Sequence, residues 1–480
     1  MTRNVILITI DTLRADHLSC YGYHRKTSPN IDNLAKNGIL FKYAFSNGPW
    51  TPFSFPSILT STYPLQFSFD FHLSPERIMI SEVLKKNGYF TAAFHSNPYL
   101  SSFYGYNRGF DVFSDFLLTE KRVKYSYGHP FLVKLQKKVK ERLESILGEA
   151  NPFYHLIVSF HEKVLESRIR TKRSQKLMEF DEKYIEDASS LNKKVIYWLR
   201  NVKEPFFLWV HYMDVRMGYM PPDMCLEYLV QFTSSLPDET KIRKLNEKIY
   251  RNIYVSKDDF SDEEVRLLID LYDAETRYVD EHIRLLLDEV KDLGLLRDTL
   301  VVITADHGDE FLEHGDIHHN PKLYDELLHV PLIFYAPKLG KGITIGDLVS
   351  LIDLAPTIVD ILGIKRPEQW VGESLLPLLK GEKKANNAVI SEVLVNGKRK
   401  IAYRTKKWKF IFNIDNYELY NLEKDIGEST NVAEENLDIV RDFSSKIEEH
   451  ISMENKMRRN VEERKRTKEK IRKLKAGGKI

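Results

Sequence analysis

Residues Thr299 to Gly315 read TLVVITADHGDEFLEHG, and this stretch decides the fold. Positions 300–303 form a short, largely β-branched apolar run, which is typical of a buried strand. The run soon ends in Asp306 and His307, followed by a glycine. Open α/β sheets bind their ligands outside the carboxyl ends of their strands. We therefore expect these two metal-capable side chains to lie at such an edge.

A second strand of this kind opens the chain. Asn4 to Ile10 reads NVILITI and runs straight into Asp11. If the two strands are neighbours in a parallel sheet, Asp11, Asp306 and His307 converge at one edge. Two carboxylates and a neutral imidazole suit a hard or borderline divalent cation. A strand-terminal aspartate more often caps a helix or a turn. Two such strand ends in one chain, one of them in Asp-His-Gly, weaken this alternative without removing it.

The composition predicts a folded protein without a strong overall charge. The 480 residues suffice for one large α/β domain with an appendage, or for roughly two to three ordinary domains. The 42% hydrophobic and 12% aromatic content supports a sizeable core and excludes global disorder. The formal net charge of +2 predicts neither nucleic-acid nor membrane binding, so no nucleic-acid partner is expected.

The cysteine count and the hydropathy pattern favour a cytoplasmic location. Only Cys20 and Cys225 are present, which implies no disulfide framework and suits a reducing compartment. No apolar run approaches the ~20 residues of a membrane span. The N-terminus opens directly into a core-type strand, without the apolar region and cleavage site of a signal peptide.

The stretch around Thr51 predicts an anion-binding helix start. Trp50-Thr51-Pro52 leads into a candidate helix from Phe53 to Thr60, with a proline near its first turn. This places the Thr51 hydroxyl at or just before a helix N-terminus, where unpaired N–H groups favour a negative charge.

Taken together, the motifs resemble the sulfatase family within the alkaline phosphatase superfamily, over about residues 4–435. The matching segments are DTLRAD (Asp11 to Asp16), Tyr21-Gly22, Thr27 through Ala35, DLYDAETRYVDEHIRLLLDEV, LVVITADHG, EHG, LLHVPLIFYAP, SLIDLAPTIVDILGI, GESLLPLLKG and YELYNLEKD. The resemblance implies an α/β fold with an alkaline phosphatase-like, mostly parallel sheet flanked by helices.

The resemblance also implies an ester-hydrolysing site with one divalent cation (Ca, Mg or Mn). Asp11, Asp306 and His307 would hold the cation, and Thr51 would contact it while acting as the nucleophile that forms a covalent intermediate. Arg216 stands where family members usually place a substrate-facing histidine, after a strand in which His211 is a further catalytic candidate. His319 falls where the family has a Lys or His against the leaving-group or equatorial oxygen.

The chain departs from the family pattern at several positions. Sulfatases carry Cys or Ser at the nucleophile position and convert it to formylglycine, which Thr51 cannot form, and their arginine four residues later is Phe55 here. Thr12 replaces a second aspartate, and the family's Lys and His pair is not reproduced in Phe94 to Pro98, which reads FHSNP. A threonine is what the phosphodiesterase, phosphoethanolamine-transferase and phosphonate-hydrolase branches use. Ser54 is an alternative nucleophile, although it lies three residues too late for the following helix.

No second metal site is evident from spacing. The two-metal branches carry an Asp-x-x-x-His set, whereas four residues after Asp214 the chain has Gly218. We therefore expect one cation.

We expect three regions along the chain. Residues 1–384 form the catalytic domain, with a helical insertion at 120–200; residues 385–455 form a small antiparallel-sheet subdomain; residues 456–480 form a basic tail. Two apolar stripes in the insertion favour a helical hairpin covering the site, although its flanking basic residues could contact anionic lipid. The stripes comprise Leu132, Leu135, Val139, Leu143 and Ile146, and then Phe153, Leu156, Ile157, Phe160 and Val164.

Three functional hypotheses follow. The leading one is a metal-dependent hydrolase of sulfate or phosphate esters. The second is a transferase of a phosphoethanolamine-type or other phosphoalcohol group to a sugar or lipid acceptor, and the third is a non-catalytic protein that binds a sulfated or phosphorylated ligand. The sequence leaves open the ester class, the oligomeric state, and whether the substrate is a small molecule, a saccharide or a lipid.

Overall fold

The computed structural model describes residues 3–67, 71–115, 185–216, 218–219, 228–229, 238–251, 259–382, 388–413 and 416–476. Both apolar stripes of the predicted insertion and the predicted domain boundary at residues 384 and 385 lie outside the described residues. Of the insertion, the described part is residues 185–200, which include one helix.

The strands are β1 (Asn4–Ile10), β2 (Ile39–Phe45), β3 (Phe90–His95), β4 (Val112–Ser114), β5 (Phe206–Tyr212), β6 (Thr299–Ala305), β7 (Glu310–Phe311), β8 (Ile317–His318), β9 (His329–Tyr335), β10 (Ile343–Ser350), β11 (Ala388–Val395), β12 (Lys398–Thr405), β13 (Trp408–Asn413) and β14 (Tyr417–Asn421). The α-helices are α1 (Pro29–Asn37), α2 (Thr51–Thr60), α3 (Ile80–Lys86), α4 (Ala188–Leu199), α5 (Glu239–Arg251), α6 (Asp262–Asp292), α7 (Asp325–Leu328), α8 (Leu354–Ile361), α9 (Leu376–Leu379) and α10 (Leu437–Ala476).

An eight-stranded sheet in the order β10-β2-β9-β6-β1-β5-β3-β4 forms the centre of the larger, N-terminal part of the chain. All its pairings are parallel except the two made by β9. The predicted neighbours β1 and β6 do pair in parallel, and the register sets Ile10 beside Ala305 and Tyr212. Every residue of β1, β5 and β6 is buried. The predicted α/β fold is therefore confirmed, and its register aligns the residues that follow these three strands.

The long helix α6 packs against the sheet and begins with a reciprocal cap. Ser261 accepts a hydrogen bond from the backbone N–H of Glu264, and the Glu264 side chain accepts one from the N–H of Ser261. This reciprocal capping satisfies two N–H groups that the first helical turn leaves unpaired. The apolar residues of α6 pack into the same core cluster as the central strands.

Sequence patterning missed strands whose apolar run is interrupted. In β2, Lys42 is exposed and Tyr43 half-buried, which breaks the buried pattern. In β10, the pairing register shifts between Ile345 and Leu348, and the two residues between them are a glycine and an aspartate. Both positions lie towards one edge of the sheet, where one side of the strand faces away from the core.

The C-terminal region forms a four-stranded antiparallel sheet in the order β11-β12-β13-β14, as predicted. Helix α10 packs on it through Val440, Phe443 and Ile447, whose spacing of three and four residues places them on one helix face. The predicted start of the basic tail at Lys456 falls inside this 40-residue helix. Across the described residues, no helix combines the length and apolar character needed to cross a bilayer.

Candidate functional site

The carboxyl ends of β1 and β6 bring together Asp11, Asp306 and His307. All three side chains are buried, and one potential ligand atom from each lies within 4.8 Å of the others. Thr51, the first residue of α2, points its hydroxyl at them: Oγ1 donates to Asp306 Oδ2 at 3.0 Å and lies 3.5 Å from His307 Nε2. The four residues predicted to hold the cation thus form one cluster.

The electrostatics of this cluster fit a divalent cation. Burial, followed by the negative charge of Asp306, raises the pKa of Asp11 to about 7. Burial also raises the pKa of Asp306 to about 7 and lowers the pKa of His307, which keeps its imidazole neutral. Within the described structure, the buried Asp11 Oδ1 has no hydrogen-bond partner. Asp11 and Asp306 thus place two buried carboxylates together, and no cationic group of the described residues pairs with Asp11 Oδ1. A hard cation prefers carboxylate ligands of this kind.

We expect cation binding to depend steeply on pH near neutrality. With carboxylate pKa values raised to about 7, the folded metal-free protein retains protons that the unfolded chain has already released above about pH 4. Its free energy of unfolding should therefore fall as pH rises from about 4 to about 7. A cation displaces those protons, so its affinity should rise by about tenfold per pH unit for each proton released.

Thermal unfolding with calcium, magnesium or manganese against chelator-treated protein checks this. The rise in Tm on adding the cation should be larger at about pH 8 than at about pH 6. An equal rise at both pH values would show that these carboxylates are not the ligands.

Two backbone features hold the loops around the cluster. Gly308 has no room for a side chain, because an added Cβ would meet the carbonyl oxygen of Glu326. Thr12 has a φ of 56°, a conformation that β-branched residues rarely adopt. Its hydroxyl donates to the carbonyl of Val215, so the threonine that replaces the second aspartate ties the Arg216 loop to the end of β1.

Arg216 is half-buried in the loop after β5. Its positive charge lowers the pKa of Asp11, although burial raises that pKa by more. It also opposes the effect of burial on Glu275, whose pKa is raised well above its ordinary value. The positive charge of Arg216 therefore acts on Asp11 of the cluster.

His319 lies beside His307, with 4.5 Å between the ring centroids. Its Nδ1 is 2.8 Å from Oδ1 of the fully buried Asp309, whose Oδ2 accepts from the Tyr219 hydroxyl at 3.0 Å. Burial lowers the pKa of His319 well below its ordinary value, so the ring is neutral near pH 7. A neutral ring that donates from Nδ1 to Asp309 leaves Nε2 as its proton-accepting atom.

Asp309, His318 and His319 also form a second group with the composition of a metal site. Asp309 already accepts hydrogen bonds from two donors. Burial raises the pKa of Asp309, but the two imidazoles lower it by more, so this pKa lies below its ordinary value. This arrangement favours an ionised carboxylate that orients His319. We therefore treat the group as support for His319.

We expect Asp309→Asn to lower kcat by about 10- to 100-fold while the bound-cation content stays the same. An amide cannot hold the His319 tautomer as the carboxylate does. Steady-state kinetics with elemental analysis of the purified protein would check this, and Asp316→Asn, in the same loop, is the matched control. Loss of the cation in the Asp309 variant would assign the residue to the metal site.

His211 lies beneath the site, where it is fully buried. Its Nδ1 is 3.0 Å from Thr9 Oγ1 and its Nε2 is 3.4 Å from Asn97 Nδ2. Because both ring nitrogens are engaged and the ring is covered, we assign His211 a supporting role instead of the catalytic role predicted from the sequence. The ring of Phe55, at the position of the family's arginine, packs edge-on against His211 at 5.1 Å.

Ser54 is oriented away from the cluster. Its hydroxyl donates to the carbonyl of Thr51, one turn earlier in α2, at 3.3 Å. Thr51 contacts Asp306, whereas Ser54 is satisfied within its own helix. This geometry favours Thr51 over Ser54 as the nucleophile.

Sequence reasoning missed Asp309, Tyr219 and Glu275. A signal for Asp309 was present, because it follows the Asp-His-Gly motif directly and the chain later carries a His318-His319 doublet. The sequence carries no such signal for Tyr219 or Glu275. Tyr219 lies in a loop. Glu275 is one of many charged residues of α6, and only the described structure shows that it is buried with no hydrogen-bond partner for Oε2.

Comparison with family models gives two matches. The model described as Sulfatase matches residues 3–364. A second model, described as N-sulphoglucosamine sulphohydrolase, C-terminal, matches residues 313–455.

Among curated proteins, arylsulfatase K of Xenopus laevis is 24% identical over 452 residues, covering 87% of this chain and 77% of that protein. Arylsulfatase K of Homo sapiens is 36% identical over 155 residues, covering 29% of each chain. Similar solved structures include phosphonate monoester hydrolase of Agrobacterium radiobacter (TM-score 0.69, 19% identity, 94% of this chain and 96% of that one). A 2-O GAG sulfatase is also similar (TM-score 0.67, 19% identity, 95% and 93%). At these identities the structural likeness concerns the fold alone.

Proposed function

Because this chain belongs to the sulfatase family of ester-hydrolysing enzymes, we propose that it hydrolyses sulfate or phosphate esters with Thr51 as the nucleophile. One observation carries the proposal: the Thr51 hydroxyl, at the start of α2, contacts Asp306 at 3.0 Å in a buried cluster suited to a cation. Without the threonine, the same cluster would bind a cation but would offer the ester no hydroxyl of the protein as a nucleophile.

The Thr51 oxygen would form a bond to the sulfur or phosphorus atom while the bond from that atom to the leaving alcohol breaks. A cation held by Asp11, Asp306 and His307 would stabilise negative charge on the nonbridging oxygens and favour ionisation of the attacking hydroxyl. Arg216 would neutralise a further oxygen of the bound anion. The cation and Arg216 would thus together neutralise the nonbridging oxygens of the ester.

Two proton movements complete the cycle. The Thr51 proton would pass to the leaving alcohol by way of Nε2 of His319, which Asp309 orients. Water then attacks the threonine ester; Nε2 would accept one proton of that water and pass it to the departing threonine oxygen, while the second proton of the water stays with the released sulfate or phosphate. The products are the alcohol, the free sulfate or phosphate and the original Thr51 hydroxyl, so atoms and protons balance.

A substrate panel tests the proposal. The full chain, loaded in turn with calcium, magnesium and manganese, is assayed on an aryl sulfate, an aryl phosphate, an aryl phosphodiester and an aryl phosphonate ester. Cation-dependent turnover of at least one ester is expected. Lack of turnover on the whole panel, with cation binding demonstrated, would favour a binding protein.

Adding a sugar or lipid alcohol as acceptor separates hydrolysis from group transfer, because transfer would place the sulfuryl or phosphoryl group on that alcohol. A reducing, cytoplasmic location, based on the cysteine count, stays a prediction.

A further inference from the structure

A short hairpin carries the Asp309 and His319 pair at its open end and His314 in its turn. Strands β7 and β8 form this hairpin by pairing antiparallel. Asp309 comes directly before β7 and His319 directly after β8, so both lie at the open end. The turn that joins the strands comprises residues 312–316. A contact that fixes this turn therefore limits how far the hairpin, with its open end, can move.

The ring of His314 is contacted on three sides. Its Nδ1 lies 2.5 Å from Oε1 of Glu326 on α7, and its Nε2 lies 3.1 Å from the backbone carbonyl oxygen of Glu428. The ring of Tyr324 stacks on it, with 3.6 Å between the centroids and an interplanar angle of 5°. The His314 side chain is 12% exposed, so these contacts replace most of its contact with water.

The two polar contacts of the ring require a positive charge. A backbone carbonyl only accepts hydrogen bonds, so Nε2 must carry a proton. An ionised carboxylate also only accepts, so Nδ1 must carry one as well. A neutral imidazole has a single ring proton and could make both bonds only if Glu326 were itself protonated. Burial lowers the pKa of His314, but Glu326 and Glu428 together raise it by more, so this pKa lies above its ordinary value.

The charges around the turn favour the same state. Lys322 donates to the carbonyl oxygen of His314 at 2.8 Å, but it is also paired with Glu310 at 2.9 Å and with Asp316 at 2.7 Å. Among the described residues, the titratable groups that face His314 from the hairpin, from α7 and the segment before it, and from the loop after β14 are Glu310, Lys322, Tyr324, Glu326, Asp425 and Glu428. Carboxyl groups predominate in this set, which favours a proton on the ring.

The far side of the contact is a fixed part of the C-terminal region. Glu428 lies in the loop between β14 and α10 and is 2% exposed. Its Oε2 accepts from the backbone N–H of Asp325 at 2.6 Å. Lys409 of β13, which is fully buried, donates to Asp325 Oδ1 at 2.8 Å. The loop that His314 contacts is therefore itself tied to α7, which is tied to β13.

We propose that His314, as a doubly protonated ring, is a positioning residue that holds the β7–β8 hairpin against α7 and the C-terminal region; its effect on turnover rests on the proposed function. Loss of one ring proton removes one of the two hydrogen bonds, and the hairpin that carries Asp309 and His319 is then held less firmly. Because the folded-state pKa is raised, this contribution to stability is complete below the unfolded pKa of about 6.5. It is lost as the pH rises through the folded-state pKa.

Nitrogen-15 NMR of the full chain, labelled in its histidines, tests the charge directly. His314→Gln identifies the signals of the ring by their loss. At about pH 6.5, where an ordinary histidine is half protonated, both ring nitrogens of His314 should be predominantly protonated. In Glu326→Gln, which removes the facing carboxylate, the loss of the proton should occur about one pH unit lower. A ring that is mostly neutral at about pH 6.5, or a midpoint that Glu326→Gln leaves in place, would overturn the proposal.

Kinetics tests the positioning role. In His314→Gln, kcat should fall by about 10- to 100-fold with KM little changed, because displaced catalytic groups slow the chemical step. His314→Arg keeps a planar cation that can stack on Tyr324 and donate twice, so it should retain kcat within about threefold. It should also stay active at alkaline pH values where the parent loses activity. His24→Gln, which changes an exposed histidine, is the matched control. Equal losses in the glutamine and arginine variants, with parallel pH profiles, would leave His314 only a packing role.

Hydrogen exchange separates failure of this inference from failure of the proposed function, because it requires no turnover. The backbone amides of residues 310–318 should exchange about tenfold faster in His314→Gln than in the parent at the same pH. In His24→Gln they should exchange at the parent's rate. Faster exchange in a protein that hydrolyses no ester would uphold the positioning role and reject the proposed function. Turnover together with unchanged exchange would reject the positioning role alone.

Discussion

Replacing Thr51 with alanine is expected to lower kcat by about 10⁴-fold or more, with the cation still bound. The Thr51 hydroxyl is the hydroxyl that contacts both the Asp306 and the His307 side chain. Removal of a nucleophile leaves only the acceleration due to binding and charge stabilisation. Steady-state kinetics on the best ester of the panel measures the loss, and mass spectrometry of the Thr51 peptide after a brief reaction identifies the sulfuryl or phosphoryl adduct.

Two further variants make this result specific. Ser54→Ala removes a hydroxyl one turn along the same helix, where it donates to a backbone carbonyl, and it should retain kcat within about threefold because such a change is confined to one hydrogen bond. Thr51→Ser keeps the oxygen and should retain measurable turnover. A Ser54 variant that loses as much activity as Thr51→Ala, or an adduct on Ser54, would contradict the assignment.

The metal cluster could be predicted from the sequence because it depends on strand ends alone. An aspartate that follows an apolar strand lies at the carboxyl-end edge of the sheet. Pairing of β1 with β6 then places Asp11 beside Asp306, independently of the loop conformations. Thr51 was predictable for a similar reason, since the proline after it marks a helix start.

The environment of the cluster could not be predicted in this way, because it depends on which faces the loops present. Asp309 lies three residues after Asp306, yet it turns to His319 and Tyr219. His211 follows the pattern of a strand-end histidine, but Asn97 and Phe55 cover it from other elements. Contacts made between distant segments leave no periodic signal in a single sequence.

These contacts also suggest how the chain accommodates the loss of the family's arginine. Phe55 fills the arginine position and packs on His211 and Trp209, which is apolar contact, not charge. Positive charge near the cluster instead comes from Arg216, in a loop that the Thr12 hydroxyl fixes to the end of β1. A bound anion would thus receive positive charge from the loop after β5. The family's arginine would instead supply it from α2, at the position of Phe55.

Replacing Asp306 with asparagine is expected to remove cation binding and to lower kcat/KM by about 10³-fold or more, without destabilising the metal-free protein. Asp306 is a ligand candidate, accepts from Thr51, and accepts from the backbone of Thr12 and His307. Asparagine keeps one acceptor oxygen but removes the charge on which a hard cation depends. The nucleophile and the cation are affected together, so the loss should be large, although smaller than that of Thr51→Ala.

The stability of the same variant separates a ligand from a structural aspartate. Burial raises the pKa of Asp306 to about 7, so above that pH the metal-free fold carries the cost of an ionised buried carboxylate, of the order of a few kcal/mol. The neutral amide avoids this cost. In thermal melts at about pH 8, the metal-free variant should therefore match or exceed the metal-free parent, and added cation should raise only the parent's Tm. A variant that is less stable than the parent without cation, and still stabilised by it, would show that Asp306 supports the loop and that the cation binds elsewhere.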